Sequence, residues 1–224
     1  METLEAINKR KTTRGFKTIP VPREIIQEII ENAQRAPSWG NTQPWEFVIA
    51  SGKVLDEIKQ AFAERAEENP NPDLPFPRMF PEFIRARLPY ARRQQEQGDR
   101  DPKEVLRERQ SQSSKLYEAP CVIYIITDRE MFEQDGEHHN VYAIFDCGLI
   151  AQNIMLLAVE HGLGTVAAAA SVRCPAVLRE KLEIPESKII VLGILIGYAD
   201  TEHPQYTVYS SREPLDKIIR WYGY

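Results

Sequence analysis

The feature that most constrains this sequence is its longest apolar stretch, which covers residues 141–159. A helix of about 20 such residues is long enough to cross a bilayer. This stretch, however, contains Asp146, Gln152 and Asn153, and each of these side chains costs free energy when it faces lipid. The pattern therefore predicts a long helix, from about 138 to 161, that is buried in a protein core.

Two more apolar runs predict central strands. Cys121 to Thr127 is almost continuously apolar, as expected for a strand that is covered on both faces, and Ile189 to Ile196 has the same character. Shorter strands are predicted at Trp45 to Ala50 and at Thr165 to Ser171. Together these runs predict a domain in which a central sheet has helices on both faces.

Helical spacing of apolar residues predicts the other helices. In the clearest case, a pattern that begins at Pro22 carries Ile25, Ile26 and Ile29 on one stripe and stops at Pro37. The same reasoning predicts helices at Thr3–Arg10, Lys53–Glu68 and Pro175–Leu182. At 224 residues, the chain fits one domain, 1–224.

Residues 69–115 interrupt this regular pattern. Six prolines lie between Asn69 and Pro89, and a highly polar segment with helix-forming residues follows up to Lys115. We interpret 69–115 as a lid over the rest of the domain. Its arginines would favour an anionic aromatic ligand if they line a pocket, or form a solvated surface with the acidic residues between them. The tail 204–224 is too short for a core of its own and is expected to pack on a partner subunit.

Charge and cysteine content exclude several classes of protein. The formal net charge is −5, so nothing global attracts the chain to nucleic acid or to an anionic membrane. Acidic residues near the start precede a basic run, which is the reverse of a secretory signal and predicts a cytoplasmic protein. Cys121, Cys147 and Cys174 are widely spaced and indicate neither a disulfide framework nor a zinc site.

Two segments carry residues suited to an anionic, flat ligand. Arg10, Lys11, Thr12 and Arg14 place three cations and a hydroxyl within five residues, as a phosphate dianion requires. The loop from Ala36 to Trp45 is rich in amides, hydroxyls and turn formers. On these residues alone, a solvated basic run and a loop that satisfies its own backbone remain alternatives.

Four segments in this order make the chain resemble the nitroreductase family. They are Arg10-Lys11-Thr12-Thr13-Arg14-Gly15-Phe16, then Ala36 to Trp45, then Asp146-Cys147-Gly148 through Gln152-Asn153, and Gly162-Leu163-Gly164-Thr165. The resemblance implies an α+β protein with a nitroreductase-like three-layer α/β/α fold and a mixed central sheet. It also implies a homodimer formed through long interface helices, with FMN shared between the two subunits.

The resemblance also implies which residues bind FMN. Arg10, Lys11, Thr12 and Arg14 would hold the phosphate and ribityl chain, with Arg212 as a late basic residue for the phosphate. Pro37, Ser38, Trp39 and Asn41 match a loop that approaches the flavin from the partner, and Gln43 matches a position near the ring. Ala167, Ala168 and Ala169 match a segment whose small side chains leave the ring accessible.

The implied reaction transfers electrons from NADH or NADPH, through FMN, to a small aromatic acceptor such as a nitroaromatic, in a ping-pong scheme. The sequence has no GxGxxG motif after a strand, so the nicotinamide is expected at the open flavin face. No metal is expected. Two alternatives stay open: a flavin-dependent reductive dehalogenase and a flavin-binding module without turnover.

Overall fold

The computed structural model describes residues 2–77, 79–85, 102–136, 138–203 and 212–223. Its sheet has four strands: β1 (Glu46–Ser51), β2 (Cys121–Asp128), β3 (Gly164–Ala168) and β4 (Lys188–Gly197). The strand order is β1-β2-β4-β3, so β2 and β4 are central and β1 and β3 form the edges.

Eight α-helices of the described residues surround the sheet. They are α1 (Thr3–Lys9), α2 (Arg23–Ala33), α3 (Gly52–Glu64), α4 (Glu82–Arg85), α5 (Pro102–Ser114), α6 (Arg129–Phe132), α7 (Val141–Glu160) and α8 (Pro175–Leu182). Short 3₁₀ turns lie at Trp39–Asn41, Leu116–Glu118, Ala169–Val172 and Leu215–Lys217. The helix limits predicted by the sequence pattern agree with the structure within one residue, except that α3 ends at Glu64 rather than Glu68 and α7 begins at Val141 rather than His138.

The side chains of β2 alternate between two hydrophobic cores. Val122, Tyr124 and Ile126 belong to the core that is closed by α3 and α8. Cys121, Ile123 and Ile125 belong to the core that is closed by α2 and α7. Successive side chains of a strand point to opposite faces, so a strand buried on both faces needs a helix layer on each side. The predicted three-layer α+β arrangement is therefore confirmed.

The predicted mixed sheet needs correction within the described residues. Each of the pairs β1–β2, β2–β4 and β3–β4 is antiparallel. β2 and β3 run in the same direction but are separated by β4, and β1 and β4 are separated in the same way by β2. Alternation of strands and helices along the chain does not reveal this interleaving. A parallel contact occurs at one isolated bridge, between Thr12 and Thr165.

The end of β3 also differs from the prediction of a strand from Thr165 to Ser171. The strand stops at Ala168, where the chain enters a 3₁₀ turn, and the Ser171 hydroxyl donates to the Ala168 carbonyl at 2.6 Å. A serine that bonds to a backbone group three residues away competes with the strand ladder. The turn therefore replaces the last part of the predicted strand.

Helix α7 corresponds to the predicted core helix, and it is buried on one face. Ala143, Asp146, Cys147 and Ile150 are among its buried residues. It is long and apolar enough to cross a membrane by length and composition, yet its packing against α2 and the sheet is that of a core helix. The opposite face carries exposed apolar side chains at its start: Val141, Tyr142 and Phe145.

The start of the predicted lid is attached to the domain. The Asp73 carboxylate pairs with Arg179 at 2.9 Å and accepts the Ile190 amide at 2.8 Å, beside a register shift between β2 and β4. Phe76 packs against the core of α3 and α8. Residues 86–101 and 204–211, which carry much of the predicted lid and tail, lie outside the described residues. The lid and tail assignments stay predictions.

The close approach of β4 to the turn after β3 provides a test of the fold. A methyl group on Gly193 would lie 2.2 Å from the Ser171 hydroxyl oxygen. Gly193→Ala should therefore lower the free energy of unfolding by about 1–3 kcal/mol, as overpacking does. In the double variant with Ser171→Gly, which removes both the hydroxyl oxygen and the Cβ atom that would lie 2.9 Å from the added methyl group, the added cost of Gly193→Ala should fall to less than about half, as measured by urea denaturation. Simple additivity of the two costs would show that this contact is not the cause.

Candidate functional site

The basic segment that follows α1 is held along the free edge of β3. The Thr13 amide donates to the Thr165 carbonyl at 2.9 Å, next to the parallel bridge from Thr12 to Thr165. Gly164 permits this approach, because a methyl group there would lie 2.5 Å from the Thr13 hydroxyl oxygen. Beyond Thr13 the chain continues to the residues after β4, where Phe16 forms an antiparallel bridge with Ala199 and the Lys17 amide donates to the Tyr198 carbonyl at 2.8 Å.

Successive side chains of the basic segment are expected to lie in different environments. Lys11 and Thr13 line a cavity of 390 Å³ together with Lys9 and residues 162–165. In extended backbone, neighbouring side chains point to opposite sides. Arg10, Thr12 and Arg14, all half-buried, are therefore expected on the other side from Lys11. The predicted phosphate clamp divides into these three residues and a separate lysine, whose role as a ligand stays a prediction.

The predicted alanine segment offers an open surface at the end of β3. Ala167 and Ala169 are exposed, whereas Ala168 is 6% exposed and belongs to the core. Methyl groups at the two exposed positions leave the adjacent backbone accessible to a flat ligand. Of the three alanines, the side chains of Ala167 and Ala169 are accessible and that of Ala168 is not, and contact of this segment with a flavin stays a prediction.

The loop from Pro37 to Gln43 is shaped by left-handed backbone. Gly40, Asn41 and Gln43 have φ values of +56°, +58° and +46°. The Ser38 hydroxyl accepts the Gln43 amide at 3.0 Å, which closes the loop on itself. Trp39 is 63% exposed and stacks on Tyr142 at 6.4 Å between ring centroids. The loop is therefore ordered and presents its aromatic side chain outward.

A buried carboxylate holds this loop to α7. Asp146 is 2% exposed, and its Oδ2 atom accepts the Trp39 amide at 3.0 Å. Burial raises the pKa of the neighbouring Cys147 thiol to about 12, and the charge of Asp146 adds to this effect. Asp146 belongs to a motif that the sequence pointed out, but its contact with Trp39, 107 positions away, has no sequence signal.

Two parts of the predicted site are not assembled by these contacts. Arg212 is exposed and follows the gap at 204–211, so its role as a phosphate ligand stays a prediction. Arg87, Arg92 and Arg100 of the predicted lid lie outside the described residues. One residue that sequence reasoning missed is Tyr117, whose ring lies 5.9 Å from the Arg14 guanidinium carbon.

The fold and the site together define a class of protein. The structure has an antiparallel sheet between two helix layers, a cationic segment on the β3 edge and a long helix, α7, with exposed apolar side chains. This arrangement is expected of a nitroreductase-like α+β protein. Comparison with family models agrees, because residues 7–198 match the nitroreductase family. The chain belongs to the nitroreductase family.

Curated relatives and solved structures resemble the chain over almost its full length. A nitrobenzene nitroreductase of Ectopseudomonas oleovorans is 30% identical and covers 96% of this chain and 94% of its own. A 4-nitrobenzoate reductase of Nocardioides sp. is 28% identical, with coverage of 98% and 90%. The crystal structure of the FMN and NADPH-dependent nitroreductase NfnB from Sphigopyxis sp. strain HMH superposes with a TM-score of 0.87 at 28% identity, and covers 100% of both chains.

The contact between Asp146 and Trp39 generates a second prediction. Asp146→Leu removes the acceptor of a hydrogen bond to a buried charge, a contact worth about 1.5–3 kcal/mol. We expect the Trp39 amide to exchange its hydrogen at least roughly 10-fold faster, while the amides of β2 keep their protection. Asp146→Asn is the matched control, because its carbonyl oxygen can still accept the bond. Equal exchange at Trp39 in the Leu variant and the unmodified protein would contradict this role.

Proposed function

We propose that this chain is an FMN-dependent oxidoreductase that passes electrons from NADH or NADPH to a small nitroaromatic acceptor. The observation that carries the proposal is the placement of the cationic segment Arg10–Arg14 along β3, which ends in the exposed side chains of Ala167 and Ala169. A cation cluster beside an open, flat surface suits a cofactor with a phosphate at one end and an aromatic ring at the other. The names of the relatives support this cofactor and this class of acceptor.

The chemistry of the donor set fits FMN. Two guanidinium groups and a hydroxyl, from Arg10, Arg14 and Thr12, match the charge and the acceptor oxygens of a phosphate and a ribityl chain. FMN, when bound, supplies the group that takes a hydride from the nicotinamide and gives electrons to the acceptor. The protein then has to bind, orient and expose that group.

Each remaining part of the site has a task in this scheme. Ala167 and Ala169 keep one face of the ring open, so that donor and acceptor occupy it in turn, in a ping-pong sequence. Arg14 places positive charge near the ring, which favours its reduced, anionic form. Ser38 and Asn41 belong to the loop that would complete the site from a second subunit.

The exposed apolar surface supports a homodimer. Val141, Tyr142 and Phe145 of α7 and the ring of Trp39 are each more than half exposed in the single chain. Aromatic side chains in one exposed group mark interaction surfaces. The tail adds Leu215, Ile218, Trp221 and Tyr222, which are at least 63% exposed. A second copy of the chain, seated along α7, would cover these groups.

The first test of the proposed activity is an anaerobic titration of the purified protein with NADH and with NADPH. We expect FMN to co-purify or to bind on addition, and its visible absorbance to bleach with at least one of the two nicotinamides. Addition of nitrobenzene or 4-nitrobenzoate should then restore the absorbance within one turnover.

Three outcomes separate the proposed function from its alternatives. FMN that binds but is reduced by neither nicotinamide favours a flavin-binding module. Reoxidation by a halophenol with halide release, but not by a nitroaromatic, favours reductive dehalogenation. If no FMN binds, the proposed function is wrong.

The proposed dimer can be tested through α7. Phe145→Glu places a charge at the centre of the exposed apolar group, and burial of an unpaired charge in an interface costs several kcal/mol. We expect this variant to elute as a monomer in size-exclusion chromatography and to lose most of its affinity for FMN. Met79→Glu, at a position 84% exposed and away from α7, is the control that should remain dimeric. A Phe145→Glu protein that is still dimeric would exclude this face as the interface.

A further inference from the structure

The chain turns sharply, in an unusual conformation, between α5 and β2. Leu116, Tyr117 and Glu118 have φ values of +52°, +51° and +57°, so three successive residues with side chains adopt the left-handed conformation. Such residues visit this region rarely and usually singly, because their Cβ atoms approach the next carbonyl oxygen. Three in succession persist only where the surrounding structure holds them.

Packing and hydrogen bonds hold this turn in place. Leu116 is completely buried in the core of α3 and α8, and the Ala119 amide donates to the Leu116 carbonyl at 3.0 Å. The Glu118 amide donates to the Lys115 carbonyl at 3.1 Å. With Leu116 anchored inward, the left-handed backbone places the next side chain, Tyr117, in a half-buried position where it packs against the edge of the same core.

The side chain that this turn presents lies beside the basic segment. The Arg14 guanidinium carbon is 5.9 Å from the centroid of the Tyr117 ring, within the range of a cation–π contact. Among the residues that the structure describes, no carboxylate forms an ion pair with Arg14. Its guanidinium is therefore oriented by the face of an aromatic ring. A carboxylate partner would occupy the N–H donors of Arg14, whereas the ring leaves them available to an anionic ligand.

We propose that Tyr117 is a positioning residue for the cofactor site, which fixes the Arg14 guanidinium toward FMN. The inference rests on the proposed function, since it takes FMN as the ligand of Arg14. A guanidinium held in place before binding loses less side-chain entropy when the ligand arrives, so affinity rises without a new ligand contact. The role requires the face of the ring and does not require the tyrosine hydroxyl.

The test measures the dissociation constant of FMN, by quenching of flavin fluorescence, in variants that preserve the turn. Tyr117→Asn removes the ring but keeps a residue that tolerates left-handed backbone. Its FMN affinity should fall roughly 3- to 20-fold, the range of a half-buried cation–π contact. Tyr117→Phe should bind FMN within about 2-fold of the unmodified protein. Glu118→Asn, which changes the turn but leaves the ring, is the matched control and should also keep full affinity.

A double variant distinguishes positioning from general damage. If Tyr117 acts through Arg14, then Tyr117→Asn should change FMN affinity by less than about 2-fold once Arg14 is replaced by alanine. Both apoproteins should still unfold cooperatively, so that a fall in FMN affinity in the Asn variant does not reflect loss of the fold.

The contrary outcomes are also distinct. Equal FMN binding by Tyr117→Asn and the unmodified protein would overturn the positioning role alone, and so would full loss in the Phe variant or an undiminished effect without Arg14. An unmodified protein that does not bind FMN would overturn this inference together with the proposed function.

Discussion

The structure depends on the burial of β2 on both faces. Seven of its eight residues are buried, and six of them, all except Thr127, belong to two separate cores. One core is closed by α3 and α8 and the other by α2 and α7, and β2 contributes side chains to both. Each core therefore requires its own helix layer, and the layers fix the path of the chain on either side. Burial of apolar surface is the main favourable contribution to folding, and β2 contributes to it in both cores.

The site follows from what this arrangement leaves uncovered. β3 is an edge strand, and an edge presents backbone donors and acceptors without partners. The segment after α1 covers part of that edge, through the Thr13 amide and the Thr12–Thr165 bridge. Because the segment is also the most basic part of the N-terminal region, protection of the edge and placement of the cations are achieved by the same contact. The exposed Ala167 and Ala169 lie near the other end of the same strand.

The sequence predicted what depends on local patterns. The doubly buried strand at Cys121–Thr127 and the helix at Pro175–Leu182 were found within one residue of their limits, because apolar runs and a leading proline are local signals. The prediction of a mixed sheet was wrong within the described residues, because the relative direction of neighbouring strands depends on which strand lies between two others. The split of the basic run, with Lys11 on the cavity side, depends on pairing with β3. The contact of Asp146 with Trp39 joins residues 107 positions apart and has no local pattern.

Two segments with left-handed backbone show why the sequence could identify residues of the site but could not predict its geometry. The loop at Gly40–Gln43 contains a glycine and an asparagine, residues that tolerate positive φ, so it could be assigned as a turn. The turn at Leu116–Glu118 contains no such residue, and local preference argues against its conformation. It exists because Leu116 fills the core below it. The position of Tyr117 beside Arg14 is therefore fixed by the packing of Leu116 in the core and not by the conformational preference of the local sequence. When strained backbone orients a side chain beside a site, the core packing that stabilises this backbone also determines the geometry of the site.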